Sequence, residues 1–181
     1  MDLEERTLES TRVFEGRVIH VRVDRVTLPN GQESTREIVD HRGAVAIVAL
    51  NAKQEIVLVQ QYRKALEKVT LEIPAGTLEV GEDPLDCARR ELREEVRCKA
   101  ASWEKIFDYY SAPGFCNERL SLYLARELSY EDGQPDEDEF LETVTIPLTE
   151  AYQYIFQGRI MDGKSIIGIQ HAFHLLQGGN D

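Results

Sequence analysis

The chain has 181 residues, 42% hydrophobic and 30% charged, a composition that fits one ordinary globular domain with a buried core. Acidic residues outnumber basic ones 33 to 21, and the formal net charge of -12 argues against a nucleic-acid partner. No run approaches the roughly 18 consecutive apolar residues of a membrane span, and the polar opening Met1-Asp2-Leu3-Glu4-Glu5-Arg6 is not expected to act as a secretory signal.

In chain order, Ile19, Val21 and Val23 alternate with His20, Arg22 and Asp24, the period of a half-buried strand. Pro29-Asn30-Gly31 supplies a turn, and residues 34–39 read as the returning arm of a hairpin. Residues 44–50 are continuously apolar, as a strand buried on both faces requires, and residues 55–62 form a second such strand after a polar turn. A short strand over residues 70–73 is stopped by Pro74. The clearest helix covers residues 83–96, with Asp83 as cap, Pro84 in the first turn, and Leu85, Ala88, Leu92 and Val96 on one face. Strands follow over 103–109, 120–125 and 140–146, and two helices over 149–156 and 164–176 close the chain. The order predicts a mixed sheet covered by helices. Cys87, Cys98 and Cys116 have no metal-site spacing, and their odd number argues against a disulfide framework, so a reducing cytoplasm is the expected location.

The chemistry concentrates on the helix over 83–96. Glu91 and Glu95 lie one turn apart, so their carboxylates can converge; Glu94 lies beside them, and Glu82 approaches from the preceding loop. By itself such a helix admits two readings. One is a solvated acidic face paired with Arg89, Arg90 and Arg93. The other is a site for Mg²⁺ or Mn²⁺, whose hard character suits carboxylate oxygens, with Arg90 orienting a glutamate. A net-acidic chain acting on an anionic substrate needs such a cation.

The wider pattern separates these readings. Gly76, five residues, Glu82, seven residues, Arg90-Glu91-Leu92, one residue, Glu94-Glu95 resembles the Nudix box in register. The box's final glycine is Arg97 here and the aliphatic position after it is Cys98, so the helix is expected to leave by another geometry or to extend. Resemblance to the ADP-ribose pyrophosphatase branch of the Nudix family extends through residues 36–45, Gln60-Gln61-Tyr62-Arg63, Glu72-Ile73-Pro74-Ala75-Gly76 and residues 111–118. In that last segment Ala112 interrupts the usual Ser-Pro-Gly, and Pro113 falls fifteen residues after Cys98, the spacing associated with ADP-ribose specificity.

That resemblance implies an α/β fold, a Nudix-type α/β/α sandwich with a mixed sheet preceded by an N-terminal antiparallel hairpin. Residues 1–42 would form the dimerisation and substrate edge and residues 43–181 the hydrolase domain. The implied activity is Mg²⁺-dependent hydrolysis of ADP-ribose, or a close nucleotide sugar, to AMP and ribose 5-phosphate, by a homodimer. Glu91, Glu95, Glu82 and Glu139 and the main-chain carbonyl of Ala75 would hold metal, with Mn²⁺ as the other candidate. Glu137, from the acidic loop, is the implied general base and Glu94 its rival, while Arg90 supports the site. Arg63 would hold the diphosphate; Arg36, Glu37, Pro113 and Glu118 would serve the nucleoside and terminal ribose. Two rivals remain: a Nudix hydrolase for another nucleoside-diphosphate sugar or a dinucleotide, and a non-catalytic ADP-ribose sensor.

Overall fold

A computed structural model describes residues 2–130 and 140–178. The chain divides into two compact units, one of residues 1–43 and 109–119 and the other of residues 44–108 and 120–181.

In the first unit, β1 (Arg6–Glu15), β2 (Ile19–Thr27) and β3 (Glu33–His41) form an antiparallel sheet in that order. The expected hairpin is therefore β2 and β3, the central strand and one edge of a three-stranded sheet. β1 escaped the sequence reading for a physical reason: all its residues are exposed, so no face of it is selected for apolar side chains. Its pairing is made by backbone, with register shifts at Thr7/Glu9 and Arg12/Phe14. Residues 109–119 belong to this unit although they lie far along the chain. The Val39 N–H donates to the Phe115 carbonyl at 2.8 Å, and the Asn117 N–H donates to the Val39 carbonyl at 3.2 Å.

The second unit is built on β4 (Ala44–Leu50), buried at every residue as its unbroken apolar sequence requires. β9 (Arg119–Tyr130) runs parallel to it. On its other side β4 pairs antiparallel with β7 (Ala75–Thr77) at its start and with β5 (Glu55–Arg63) at its end. β5 also pairs with β6 (Lys68–Glu72) and β10 (Leu141–Pro147), and β8 (Cys98–Tyr110) neighbours β9. β7 was unpredicted because three residues after a proline carry no period.

The helices lie on both faces of this mixed sheet. On one, Cys87, Ala88, Leu92 and Val96 of α1 (Pro84–Val96) cluster with Val45, Ile47, Ala49, Val57 and Val59. Side chains alternate along a strand, so Val48 points to the opposite face. There α3 (Gly163–Gly178) approaches so closely that a Cβ on Gly168 would stand 2.8 Å from Val48 Cγ2. The same layer holds α2 (Leu148–Phe156), where Leu148 and Ala151 are buried. This is the mixed sheet covered by helices that the element order predicted, in the α/β/α arrangement that the family resemblance implied.

α1 begins as predicted: Asp83 Oδ1 accepts the Leu85 and Asp86 N–H groups at 2.9 and 3.3 Å, and Pro84 occupies the first turn. Its end corrects the sequence expectation. Arg97 takes the left-handed conformation itself, φ 54° and ψ 39°, and its N–H bonds back to the last turn. A side chain in that region costs on the order of 1 kcal/mol relative to glycine, and the capping bonds offset it.

Candidate active site

Helix α1 presents two kinds of residue on its inner side. Leu92 and its neighbours fill the core, while Glu91 and Glu95, one turn apart, are each only 7% exposed. Buried carboxylates demand partners, because desolvating an unpaired charge costs several kcal/mol. Glu91 finds one in Arg90 beside it on the helix, and Glu95 finds one at the start of β7. The Ala75 N–H donates to Glu95 Oε2 at 3.0 Å, which fixes the main chain at Ala75 beside the helix. Glu91 lies directly over Gly76: a Cβ there would stand 1.8 Å from Glu91 Cδ and 1.9 Å from Oε1. The glycine that opens the box pattern is thus required by close approach rather than by a positive φ.

Arg90 organises the remaining carboxylates. Its Nε and Nη2 donate to Glu82 at 2.9 and 3.1 Å, a two-pronged contact. Its Nη1 donates to Glu91 Oε1 and Glu94 Oε2, both at 2.8 Å. Glu82 also accepts the Glu79 N–H at 2.9 Å, closing the loop that precedes the helix. The Arg90 guanidinium, aided by that amide, holds the Glu82 carboxyl at about 2. One arginine therefore offsets part of the charge of three carboxylates and leaves a net-acidic cluster that a further cation would stabilise.

The donor chemistry fits a hard divalent cation: two buried carboxylates a turn apart, with the Ala75 main chain beside them. Among the described residues no three acidic, histidine or cysteine side chains form a ligating group, and Arg90 pairs with Glu82, Glu91 and Glu94. Glu137 and Glu139 lie outside the described residues.

Arg63, expected at the diphosphate, ends β5 with its Nε and Nη2 on Glu72 of β6, at 2.9 and 2.7 Å. Its side chain is still 41% exposed, while that of Glu72 is 3% exposed. Burial alone would raise the Glu72 carboxyl, but hydrogen bonds from Arg63, Lys164 and Thr70 outweigh it and hold it at about 2. Sequence reasoning missed Lys164, because nothing in local spacing signals a partner so distant in the chain.

The remaining expected residues lie in the first unit. Arg36 of β3 donates to both oxygens of Glu5, at 2.8 and 2.5 Å. Glu37, on the same strand, is exposed. Pro113 sits in a tight turn where the Phe115 and Cys116 N–H groups donate to the Ala112 carbonyl at 3.1 and 2.9 Å. Glu118 is half-buried, 3.6 Å from His41 Nδ1. The three cysteines are free, and burial pushes the Cys87 thiol up to about 12.

Comparison with known proteins adds to this geometry. Residues 40–163 match the NUDIX domain, and residues 5–39 match the nucleoside diphosphate sugar hydrolase N-terminal domain. The chain is 47% identical over 170 residues to a methanol dehydrogenase activator of Bacillus methanolicus, covering 93% of this chain and 92% of the relative. It is 43% identical over 171 residues to an ADP-ribose pyrophosphatase of Bacillus subtilis, with the same coverage of 93% and 92%. A crystal structure of an ADP compounds hydrolase superposes with a TM-score of 0.87 over 99% of this chain and 98% of that one, at 23% identity, a likeness of fold.

Proposed function

The chain belongs to the NUDIX family, and on that premise we propose that it hydrolyses the diphosphate bond of ADP-ribose to AMP and ribose 5-phosphate. The observation that carries this reading is the buried Glu91–Glu95 pair, seated over Gly76 and bonded to the Ala75 main chain. Glu91, Glu95 and the Ala75 carbonyl would hold Mg²⁺, which withdraws charge from the diphosphate and lowers the pKa of a bound water. Glu82 and Glu139 complete the acidic set.

In the reaction, water oxygen bonds to one phosphorus as the bridging P–O bond breaks, and the second phosphate leaves. The water's proton passes to a carboxylate, for which Glu137 is our assignment and Glu94 the rival. Arg90 keeps Glu82, Glu91 and Glu94 oriented. Arg63 neutralises a diphosphate oxygen from its exposed side. Arg36, Glu37, Pro113 and Glu118 are assigned to the nucleoside and terminal ribose; Arg36 would exchange Glu5 for substrate.

The test is AMP release from ADP-ribose with excess Mg²⁺, beside Glu95→Gln and Glu137→Gln. Release that Glu95→Gln abolishes supports the site, and an unchanged rate in Glu137→Gln transfers the proton to Glu94. Turnover only of another nucleoside-diphosphate sugar keeps the chemistry and overturns the substrate. The relative at 47% identity favours a second reading, that the protein acts on a dehydrogenase, which adding it to a methanol dehydrogenase assay measures.

A homodimer completes the proposal. β1 exposes Leu8, Val13 and Phe14 by 48%, 59% and 54% and buries none of its residues within its own chain. A second copy is the partner we assign to it. Light scattering of the full chain beside a Val13→Glu/Phe14→Glu variant tests this, and a monomeric parent would refute it.

A further inference from the structure

The acidic box leaves unexplained a second charged cluster, formed by residues from three distant stretches of the chain. Glu72 at the end of β6 is 2% exposed, yet its carboxylate carries four contacts. Arg63 takes both of its oxygens, and the Thr70 hydroxyl donates to Oε1 at 2.6 Å. The fourth contact is the Lys164 ammonium, which donates to Oε2. Lys164 stands in the first turn of α3, its side chain 14% exposed, and also donates to Asp162 Oδ2 at 2.9 Å.

The same helix turn grips the chain at the next residue. Ser165 is fully buried, and its hydroxyl accepts the Ile73 N–H at 2.8 Å, while its own N–H donates to Asp162 Oδ2 at 3.1 Å. The first turn of α3 therefore holds residues 72 and 73, two positions before the main chain of Ala75. Two cations face two carboxylates in this cluster, so its charges balance.

Removing the ammonium would leave Glu72 and Asp162 competing for one guanidinium. Arg63 would then lose its fixed orientation, because a two-pronged contact on one carboxylate is what turns its other edge outward. We propose that Lys164 is a positioning residue for substrate binding: by sharing Glu72 it frees Arg63 to keep an outward face for the diphosphate. This rests on the reading that Arg63 meets the diphosphate. Lys164 touches no reacting atom. Its contribution belongs to binding, so it is expected in KM rather than in kcat.

The experiment compares ADP-ribose kinetics of the parent, Lys164→Met, Lys164→Arg, Arg63→Ala and the Lys164→Met/Arg63→Ala double variant. The expected result is a KM raised about tenfold in Lys164→Met with kcat changed less than about twofold, partial rescue in Lys164→Arg, and no further rise on top of Arg63→Ala. An unchanged KM, or the same rise with Arg63 already gone, overturns the proposal.

A second measurement is independent of turnover and of the Met variant's folding. The Arg63 Nε–H resonance of the ¹⁵N-labelled parent is expected to be protected from solvent exchange, and that of Lys164→Arg or Lys164→Gln to exchange faster. Equal exchange in the parent and both variants overturns the proposal even if the kinetics are silent. If the parent does not turn over ADP-ribose but the resonance responds as expected, the substrate reading fails while the positioning of Arg63 stands.

Discussion

Gly76→Ala isolates one contact of the acidic site. The glycine's φ is not in the positive range, so alanine fits the backbone, and the perturbation is the methyl group alone. That methyl would stand 1.8 Å from Glu91 Cδ. Ordinary carbon–carbon contact is about 3.5 Å or more, so the Glu91 carboxylate must retreat by roughly 1.5–2 Å. A displacement of about 1 Å in a positioned catalytic group costs on the order of 100-fold, and kcat/KM at limiting Mg²⁺ is expected to fall by at least that much. The half-saturating Mg²⁺ concentration should rise with it, while the unfolding free energy shifts by no more than about 1 kcal/mol. AMP release measured across a Mg²⁺ series, beside urea denaturation, reads both quantities. Activity and Mg²⁺ dependence equal to the parent would refute the reasoning, since a carboxylate able to move that far without consequence is not a ligand.

Arg97→Gly should stabilise the protein by about 1 kcal/mol, because glycine adopts the left-handed helix end without steric cost; urea denaturation measures it, and a loss of stability would contradict the strain at φ 54°. Glu72 and Glu82 are both held at about 2, against an ordinary value of 4.5. Their contribution to stability is therefore present above about pH 4.5 and lost as pH falls toward 2. The Glu72→Gln variant, followed by denaturant unfolding over that range, should show a shallower decline than the parent. Of the three thiols, half-buried Cys116 should react with a disulfide reagent in the folded protein, while Cys87, buried and pushed up to about 12, reacts only after unfolding.

The residue spacing determined the box helix and its cap and put Glu91 and Glu95 one turn apart, because those features are local: a period of 3.6 and a cap two or three residues from its amides. It also determined the layered α/β order, since β4 had to be buried on both faces. That the two carboxylates are buried rather than on a solvated face was decided by the fold. Three other features could be decided only by the folded chain. β1 is paired through its backbone and exposed polar contacts such as Arg25 to Glu9, and pairing without burial leaves no apolar period in the side chains. The end of α1 depended on whether capping bonds outweigh a strained arginine, a balance of small terms that composition does not set. The partners of Arg63 and Arg36 come from Glu72 with Lys164 and from Glu5, which the sheet and helix packing bring to them. An ion pair needs only charge and proximity; the sequence supplies the charge, and proximity between distant residues exists only once the tertiary structure has formed.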